Sequence, residues 1–243
     1  LAVAANRDEY RERPAEGPAL RDTPAGRVAA PRDLRAGGTW LGLNRHGVFA
    51  AITNRPTACL DATRRSRGLL VMDALAWAKA SDAAEWMSGL APGLYNPFNL
   101  FVADAEHAFV AVYEESVRVE AQEPGVHVIG NADPDDRTVP KIARLLDRVE
   151  HAAAGRPERW LDELAEICRG HDGQDGPLSD TCIHLGSERG GYGTRSSTLL
   201  WLGLRPGGAL PDGVRGRFEP PARTGDSPGR DGRTGTRKRG HLP

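Results

Sequence analysis

A chain of 243 residues, 39% of them hydrophobic, can build one sizeable core, and its 32 basic and 33 acidic residues leave a formal charge of −1. That balance argues against a nucleic-acid-binding surface across the folded part. No run approaches the roughly 18 apolar residues of a membrane span, and Leu1 to Ala5 is too short, with no basic flank, for a signal peptide, so a cytoplasmic protein without an integral membrane segment is expected.

The first five residues, rich in Ala around Val3, read as a buried strand that ends on Asn6-Arg7-Asp8-Glu9. An amide, a guanidinium and two carboxylates at a strand end suit a catalytic cluster; they equally suit a local ion pair where the chain exits into solvent. Arg11 to Pro31, rich in Pro, Arg and Glu, reads as an irregular excursion. Thr39 to Leu43 and Val48 to Thr53 are β-prone runs joined by Asn44-Arg45-His46-Gly47, which predicts a hairpin. Leu69, Met72 and Ala76 share one face of a helix over Leu69 to Lys79, and a short helical turn is expected at Ala84 to Met87.

Asn99 to Ala103 and Phe109 to Tyr113 form a second predicted hairpin, followed by strands near Val117 to Glu120 and Val126 to Ile129. Val139, Ile142, Leu145, Leu146 and Val149 mark one amphipathic helix. Trp160, Leu161, Leu164 and Ile167 mark another, after Pro157, which suits a first helical position. Strands return at Thr181 to Leu185 and Ser197 to Leu204, with an edge strand at Val214 to Phe218. From Pro220 onward Gly, Pro, Arg, Thr and Asp dominate and no core can form, so residues 1–219 read as one domain and 220–243 as a disordered basic tail.

Several residues carry the chemistry. Asn54 closes the second strand of the first hairpin, and Asn131 follows Ile129-Gly130 at the end of another predicted strand. Two such amides can aim donors at one oxyanion, a contact whose removal costs acyl-transfer enzymes about 3 to 4 kcal/mol; each also suits the start of a turn. Arg195 stands between Thr194 and Ser196, and arginine binds carboxylate or phosphate through paired donors. Cys168-x-x-His171 and Cys182-x-His184 have the residue types of a metal site, but their intervals match no common zinc-ribbon spacing, so no metal and no cofactor is expected. Cys59, Cys168 and Cys182, odd in number and widely spaced, fit reduced thiols. Gly190-Gly191-Tyr192-Gly193 opens no readable helix and reads as a turn rather than a phosphate loop.

Together these segments resemble the NRDE family, also called the transport and Golgi organisation protein 2 family, whose name spells out Asn6-Arg7-Asp8-Glu9. The resemblance continues through Arg32-Asp33-Leu34-Arg35-Ala36-Gly37-Gly38-Thr39-Trp40-Leu41-Gly42, Thr53-Asn54-Arg55, Ser66-Arg67-Gly68 and Phe98-Asn99-Leu100. Asn131-Ala132 and Gly193-Thr194-Arg195-Ser196-Ser197-Thr198 complete it, so that it covers Leu1 to about Leu204. The family is similar to the N-terminal-nucleophile hydrolases, especially the choloylglycine hydrolase and penicillin acylase-like branch. That implies an α+β fold, an αββα sandwich of two antiparallel sheets between helical layers. The resemblance further implies Arg7 and Asp8 as a polarising pair, Asn54 and Asn131 as oxyanion donors, and Arg195 as a late active-site arginine, with Asn6, Trp40 and Thr194 contacting substrate. Family members usually begin Met-Cys, and that Cys would lie a strand upstream of Asn6. The chain as given would then be inactive, because Cys59, Cys168 and Cys182 have no free α-amine.

Two functions follow from the resemblance. One is an amidohydrolase-like enzyme that opens a C–N amide bond of a small molecule through the N-terminal Cys. The other is a non-catalytic carrier of haem or a lipid or acyl-CoA ligand in the same pocket, as the eukaryotic members are associated with haem or lipid handling. A third reading leaves the polar strand positions as turns and ion pairs, and it does not explain why so many carry amides or guanidinium groups.

Overall fold

Along β1 (Ala2–Tyr10) successive side chains point to opposite faces, and the two faces keep different company. Ala2 and Ala4 pack with Leu164, Ala165 and Leu199, whereas Val3 and Ala5 pack with Leu41, Phe49 and Leu200. The computed structural model describes residues 1–24, 26–171, 173–186 and 191–203, together with the backbone of 215–219.

β1 pairs antiparallel with β9 (Tyr192–Trp201), and β9 pairs on its other side with β10 (Arg215–Glu219). The second sheet has seven strands lying side by side in chain order. They are β2 (Ala15–Thr23), β3 (Gly26–Asp33), β4 (Leu41–Asn44), β5 (Phe49–Asn54), β6 (Phe98–Ala103), β7 (Ala108–Tyr113) and β8 (Val117–Ala121). α1 (Arg67–Ala74) and α2 (Ala80–Ser88) bury Leu70, Val71, Ala74 and Met87 against the outer face of this sheet, with Val28, Ala50, Leu100 and Tyr113. α3 (Pro140–Ala153) and α4 (Trp160–Cys168) cover the outer face of the smaller sheet with Leu164, Ile167 and the partly buried Leu145 and Val149. The inner faces meet through Leu41, Leu43, Phe49 and Leu200. Helices, sheet, sheet, helices is the αββα sandwich expected from the resemblance. No helix among the described residues is long and apolar enough to cross a membrane.

The first hairpin forms as expected. Asn44 Oδ1 accepts the His46 and Val48 N–H groups at 2.9 and 3.0 Å, and Gly47 takes the left-handed φ of +86° that the turn needs. Asn44 Nδ2 donates to the carbonyls of Leu75 and Trp77 and so ties the end of α1 to the sheet.

Four expectations are corrected. β1 does not stop at Asn6: its pairing with β9 runs on to Tyr10 opposite Tyr192, so the polar quartet lies inside the strand. Arg11 to Pro31 is no irregular excursion, since it folds into the β2–β3 hairpin. β3 buries Val28 and Ala30, while β2 lies at the sheet edge with Pro18 and exposed charges, features that protect an edge and hide its periodicity. Val126 to Ile129 forms no strand, because the Val128 N–H and C=O bond to the side chain and backbone of Asp135 instead of a neighbouring strand. Thr181 to Leu185 makes only an isolated bridge from His184 to Gly193. The tail from Pro220, expected to be disordered, and the whole of Ser187 to Gly190 lie outside the described residues.

Candidate active site between the sheets

Arg7 follows Val3 and Ala5 on the inner face of β1. Its side chain is 9% exposed, and its guanidinium lies 4.5 Å from the ring centroid of Trp40. A desolvated cation–π contact of this kind is worth up to about 2 kcal/mol. The ion pair to Glu9 spans 3.8 Å, too long for a hydrogen bond. Burial pulls the Arg7 pKa down, Glu9 and Asp33 oppose that, and Arg13 and Arg195 add to it. An arginine so placed stays charged and keeps N–H donors for an acceptor.

Trp40 owes its position to a close backbone approach. A Cβ on Gly38 would sit 2.2 Å from the carbonyl carbon of Gly68, and the Thr39 N–H donates to the Gly68 carbonyl at 3.0 Å. The two motif segments around Gly38 and Gly68 therefore pack backbone to backbone and deliver Trp40 under Arg7. The Trp40 carbonyl accepts from Ile52, two residues before Asn54. The buried Trp40 Nε1 has no hydrogen-bond partner among the described residues, and neither has Thr198 Oγ1, on the inner face of β9. Orphaned buried groups cost about 1 to 3 kcal/mol each, so both call for a partner.

The surrounding charge is mostly positive. Arg13 clasps Asp33, with Nη2 at 2.5 Å from Oδ2, and reaches Glu9 at 3.5 Å. Burial alone would raise the Asp33 carboxyl, but Arg13, the Arg35 N–H and Arg7 outweigh it and hold it below the usual range. Arg67 donates to the Pro97 carbonyl at 2.8 Å and is close enough to feel both Arg13 and Glu9. Arg7, Arg13, Arg67 and Arg195 thus share this region with Glu9 and Asp33, an excess of positive charge that suits an anion.

Asn54 and Asn131 are neighbours, joined by a side-chain-to-backbone hydrogen bond. Asn131 Nδ2 donates to the Asn54 carbonyl at 2.6 Å, both residues are exposed, and the second Asn131 N–H is not used in that bond. The loop carrying Asn131 is pinned by Thr53 Oγ1, which donates to the Gly130 carbonyl at 2.6 Å, and by Asn99 Nδ2, which donates to the carbonyls of Gly130 and Ala132 at 3.1 and 2.7 Å. Asn99 is fully buried. Its motif is visible in the sequence, but its task is not. The available signal is one amide inside the otherwise apolar β6.

Asn6, Asp8 and Thr194 occupy the other face of the small sheet. Asn6 Nδ2 donates to the carbonyls of Cys168 and Thr181, both at 2.9 Å, and its Oδ1 accepts from Ser197 at 2.6 Å, so it anchors the end of α4. Asp8 accepts from Thr194 Oγ1 at 2.5 Å, and that hydroxyl accepts from the Ile183 N–H. Burial raises the Asp8 carboxyl against the opposing effects of Thr194, Lys141 and His184. Arg7 and Asp8 therefore do not meet through their side chains. Arg195 is the extra residue of a β-bulge: Arg7 pairs with Ser196 but Asp8 with Thr194.

The family profile described as Transport and Golgi organisation 2 matches residues 1–204. The chain belongs to the Transport and Golgi organisation 2 family. It is 36% identical to the human Transport and Golgi organization protein 2 homolog over 237 residues, covering 82% of this chain and 81% of that protein. The Bos taurus homolog is 37% identical over 125 residues, which cover 46% of this chain and 42% of that protein. In fold the chain is similar to the Caenorhabditis elegans N-acylethanolamine-hydrolyzing acid amidase ortholog, with a TM-score of 0.53 at 12% identity over 82% of this chain and 91% of that one. That likeness shows an N-terminal-nucleophile hydrolase-like fold for this family member.

Proposed function

We propose that this protein is an amidohydrolase of the N-terminal-nucleophile type, acting on a C–N amide bond, with a cysteine upstream of Leu1 as nucleophile. The observation that carries the reading is the buried Arg7 guanidinium on Trp40, on an inner face where Trp40 Nε1 and Thr198 Oγ1 lack partners among the described residues. β1 is an edge strand among the described residues, so a preceding strand has a place to pair and to bring a thiol and its α-amine to that face. In this reading the cysteine sulfur attacks the amide carbonyl carbon and its proton passes to its own α-amine. Asn54 and Asn131 donate to the oxyanion, the C–N bond breaks as the leaving amine takes the proton, and water hydrolyses the thioester. Arg7 holds the nucleophile from the inner face with Arg195 nearby, and Asp8 supports β1 from behind. The fold relative named above hydrolyses N-acylethanolamines, which are amides.

Protein expressed from the full reading frame is treated with a thiol-reactive acyl probe and assayed on fluorogenic N-acyl amides. Label on the N-terminal cysteine, lost with Arg7→Met, is expected; a folded protein without label or turnover overturns the reading.

A second reading, a carrier of haem or an acyl-CoA ligand, is favoured by the cationic excess around Arg7, Arg13, Arg67 and Arg195. Saturable binding that depends on Arg7 or Arg195 and survives loss of the nucleophile supports it. No saturable binding rejects it.

A further inference from the structure

Behind the small sheet, on the face away from Arg7, three metal-ligating side chains converge. His171 comes from the turn after α4, and Cys182 and His184 come from the extended segment that meets β9, two residues apart and hence on one face. Their ligand atoms all lie within 4.8 Å of one another. We propose that His171, Cys182 and His184 bind a zinc ion, with the fourth position open to water, and that this ion clamps the segment after α4 onto β9. The inference is independent of the proposed amide chemistry, and none of the three ligands takes part in it.

The distances fit. Tetrahedral zinc with bonds of about 2.3 Å to sulfur and about 2.05 Å to nitrogen places sulfur and nitrogen about 3.6 Å apart. Cys182 Sγ and His184 Nε2 are 3.4 Å apart. The His171 and His184 rings lie 5.0 Å apart, centroid to centroid, at 33°. His171 is exposed, so a small side-chain rotation closes the remaining gap.

The frame around the site is already built. The Cys182 N–H donates to the Gly170 carbonyl at 2.9 Å, and the Thr194 N–H donates to the Ile183 carbonyl at 2.8 Å, so the segment that carries Cys182 and His184 is tied both to the chain just before His171 and to β9. Asp180 Oδ2 lies 3.9 Å from His171 Nδ1, while its Oδ1 accepts from the Gly173 N–H at 2.8 Å. The 3.9 Å gap is too long for a hydrogen bond, but the same rotation of the exposed His171 ring can bring Nδ1 onto Asp180, and a carboxylate so placed orients a ligating histidine and leaves Nε2 for the metal. A set of two imidazoles and one thiolate selects zinc or a neighbouring transition metal over magnesium or calcium, which take oxygen donors. The irregular spacing that argued against a metal site is bridged by the fold: one ligand comes from a helix end and the others from an extended segment, not from the paired knuckles of a zinc ribbon.

The test titrates chelator-treated protein with Zn2+ against a chromophoric competitor, and with Co2+ for its absorption spectrum, in a Cys59→Ser background that removes the exposed thiol. One zinc per chain is expected, with a thiolate-to-cobalt charge-transfer band and intense tetrahedral visible bands. Cys182→Ser should abolish the charge-transfer band, and His171→Gln, at an exposed position, should weaken zinc binding about 100-fold without unfolding. Asp180→Asn should weaken it about 10-fold. Zinc binding weaker than the competitor can report, or binding and a charge-transfer band unchanged in Cys182→Ser and His171→Gln, overturns the proposal.

Discussion

Arg7 and Asp8 are consecutive on β1 and serve opposite sides of it: Arg7 stacks on Trp40 between the sheets, and Asp8 accepts a hydrogen bond from Thr194 beneath the helices. Substitutions at the two positions therefore report on different compartments of the sandwich.

Arg7→Met replaces a buried cation by an apolar side chain of similar length. The exchange loses the contact with Trp40 and leaves Glu9 with one cation fewer, so thermal and urea denaturation should place the variant about 1 to 3 kcal/mol below the parent and still folded. Amide turnover or anion binding by the same variant should fall by about 100-fold or more. Asp8→Asn keeps an acceptor for Thr194 and should retain most of the function. A function loss in Asp8→Asn equal to that in Arg7→Met would mean that the two residues act as one unit.

Asn99→Ala removes both donors that pin the Gly130 and Ala132 carbonyls and leaves a small void at a fully buried position. The expected loss is about 2 to 4 kcal/mol in chemical denaturation. Faster amide exchange should appear around Asn131, since that loop has no strand pairing to fall back on.

The same loop carries a pH dependence. Burial disfavours the charged form of His127, but Asp135, whose Oδ2 lies 2.7 Å from Nδ1, and the Glu123 carbonyl outweigh it, so the pKa is raised above 6.5. A raised histidine pKa contributes stability that is full below the unfolded value and is lost as pH rises through the folded value. Exchange protection of Val126 to Ala132 should therefore decline from about pH 6.5 upward. Asp135→Asn should flatten that decline and bring the His127 NMR titration back down.

Gly38→Ala tests how Trp40 is positioned. Its methyl group would meet the backbone of Gly68, which cannot rotate away. A loss of about 3 kcal/mol or more is expected. Gly37→Ala places its methyl in open space, but at a φ of +77° it should cost only about 1 kcal/mol, through backbone strain. Equal melting temperatures for Gly38→Ala and the parent would show that the approach to Gly68 relaxes freely.

Regular periodicity made parts of the architecture readable in advance. The Asn44 to Gly47 turn and the apolar faces of α3 and α4 follow from local pattern, which depends on neighbours a few residues away. β2 escaped because an edge strand with Pro18 and charged residues has little apolar alternation to read. Val126 to Ile129 misled for the opposite reason: it has β-prone composition, but Asp135 satisfies its backbone. Among the candidate site residues, Asn54 and Asn131 stand out by their place after apolar runs, and in the structure the Asn131 side chain bonds to the Asn54 carbonyl. The split between Arg7 and Asp8, the tasks of Asn6 and Asn99, and the grouping of His171 with Cys182 and His184 all depend on long-range register, which no local pattern records.

The extra residue in β9 works as a phase shifter. Because Arg195 is inserted opposite the Arg7–Asp8 step, Thr194 and Ser197 both face the helices although they are three positions apart. Deleting Arg195 would remove a guanidinium and also exchange inside for outside along Tyr192 to Thr194, turning Thr194 away from Asp8. Replacing it by alanine would remove the charge and keep the phase. The two lesions thus separate what the side chain does from what its mere presence as a spacer does.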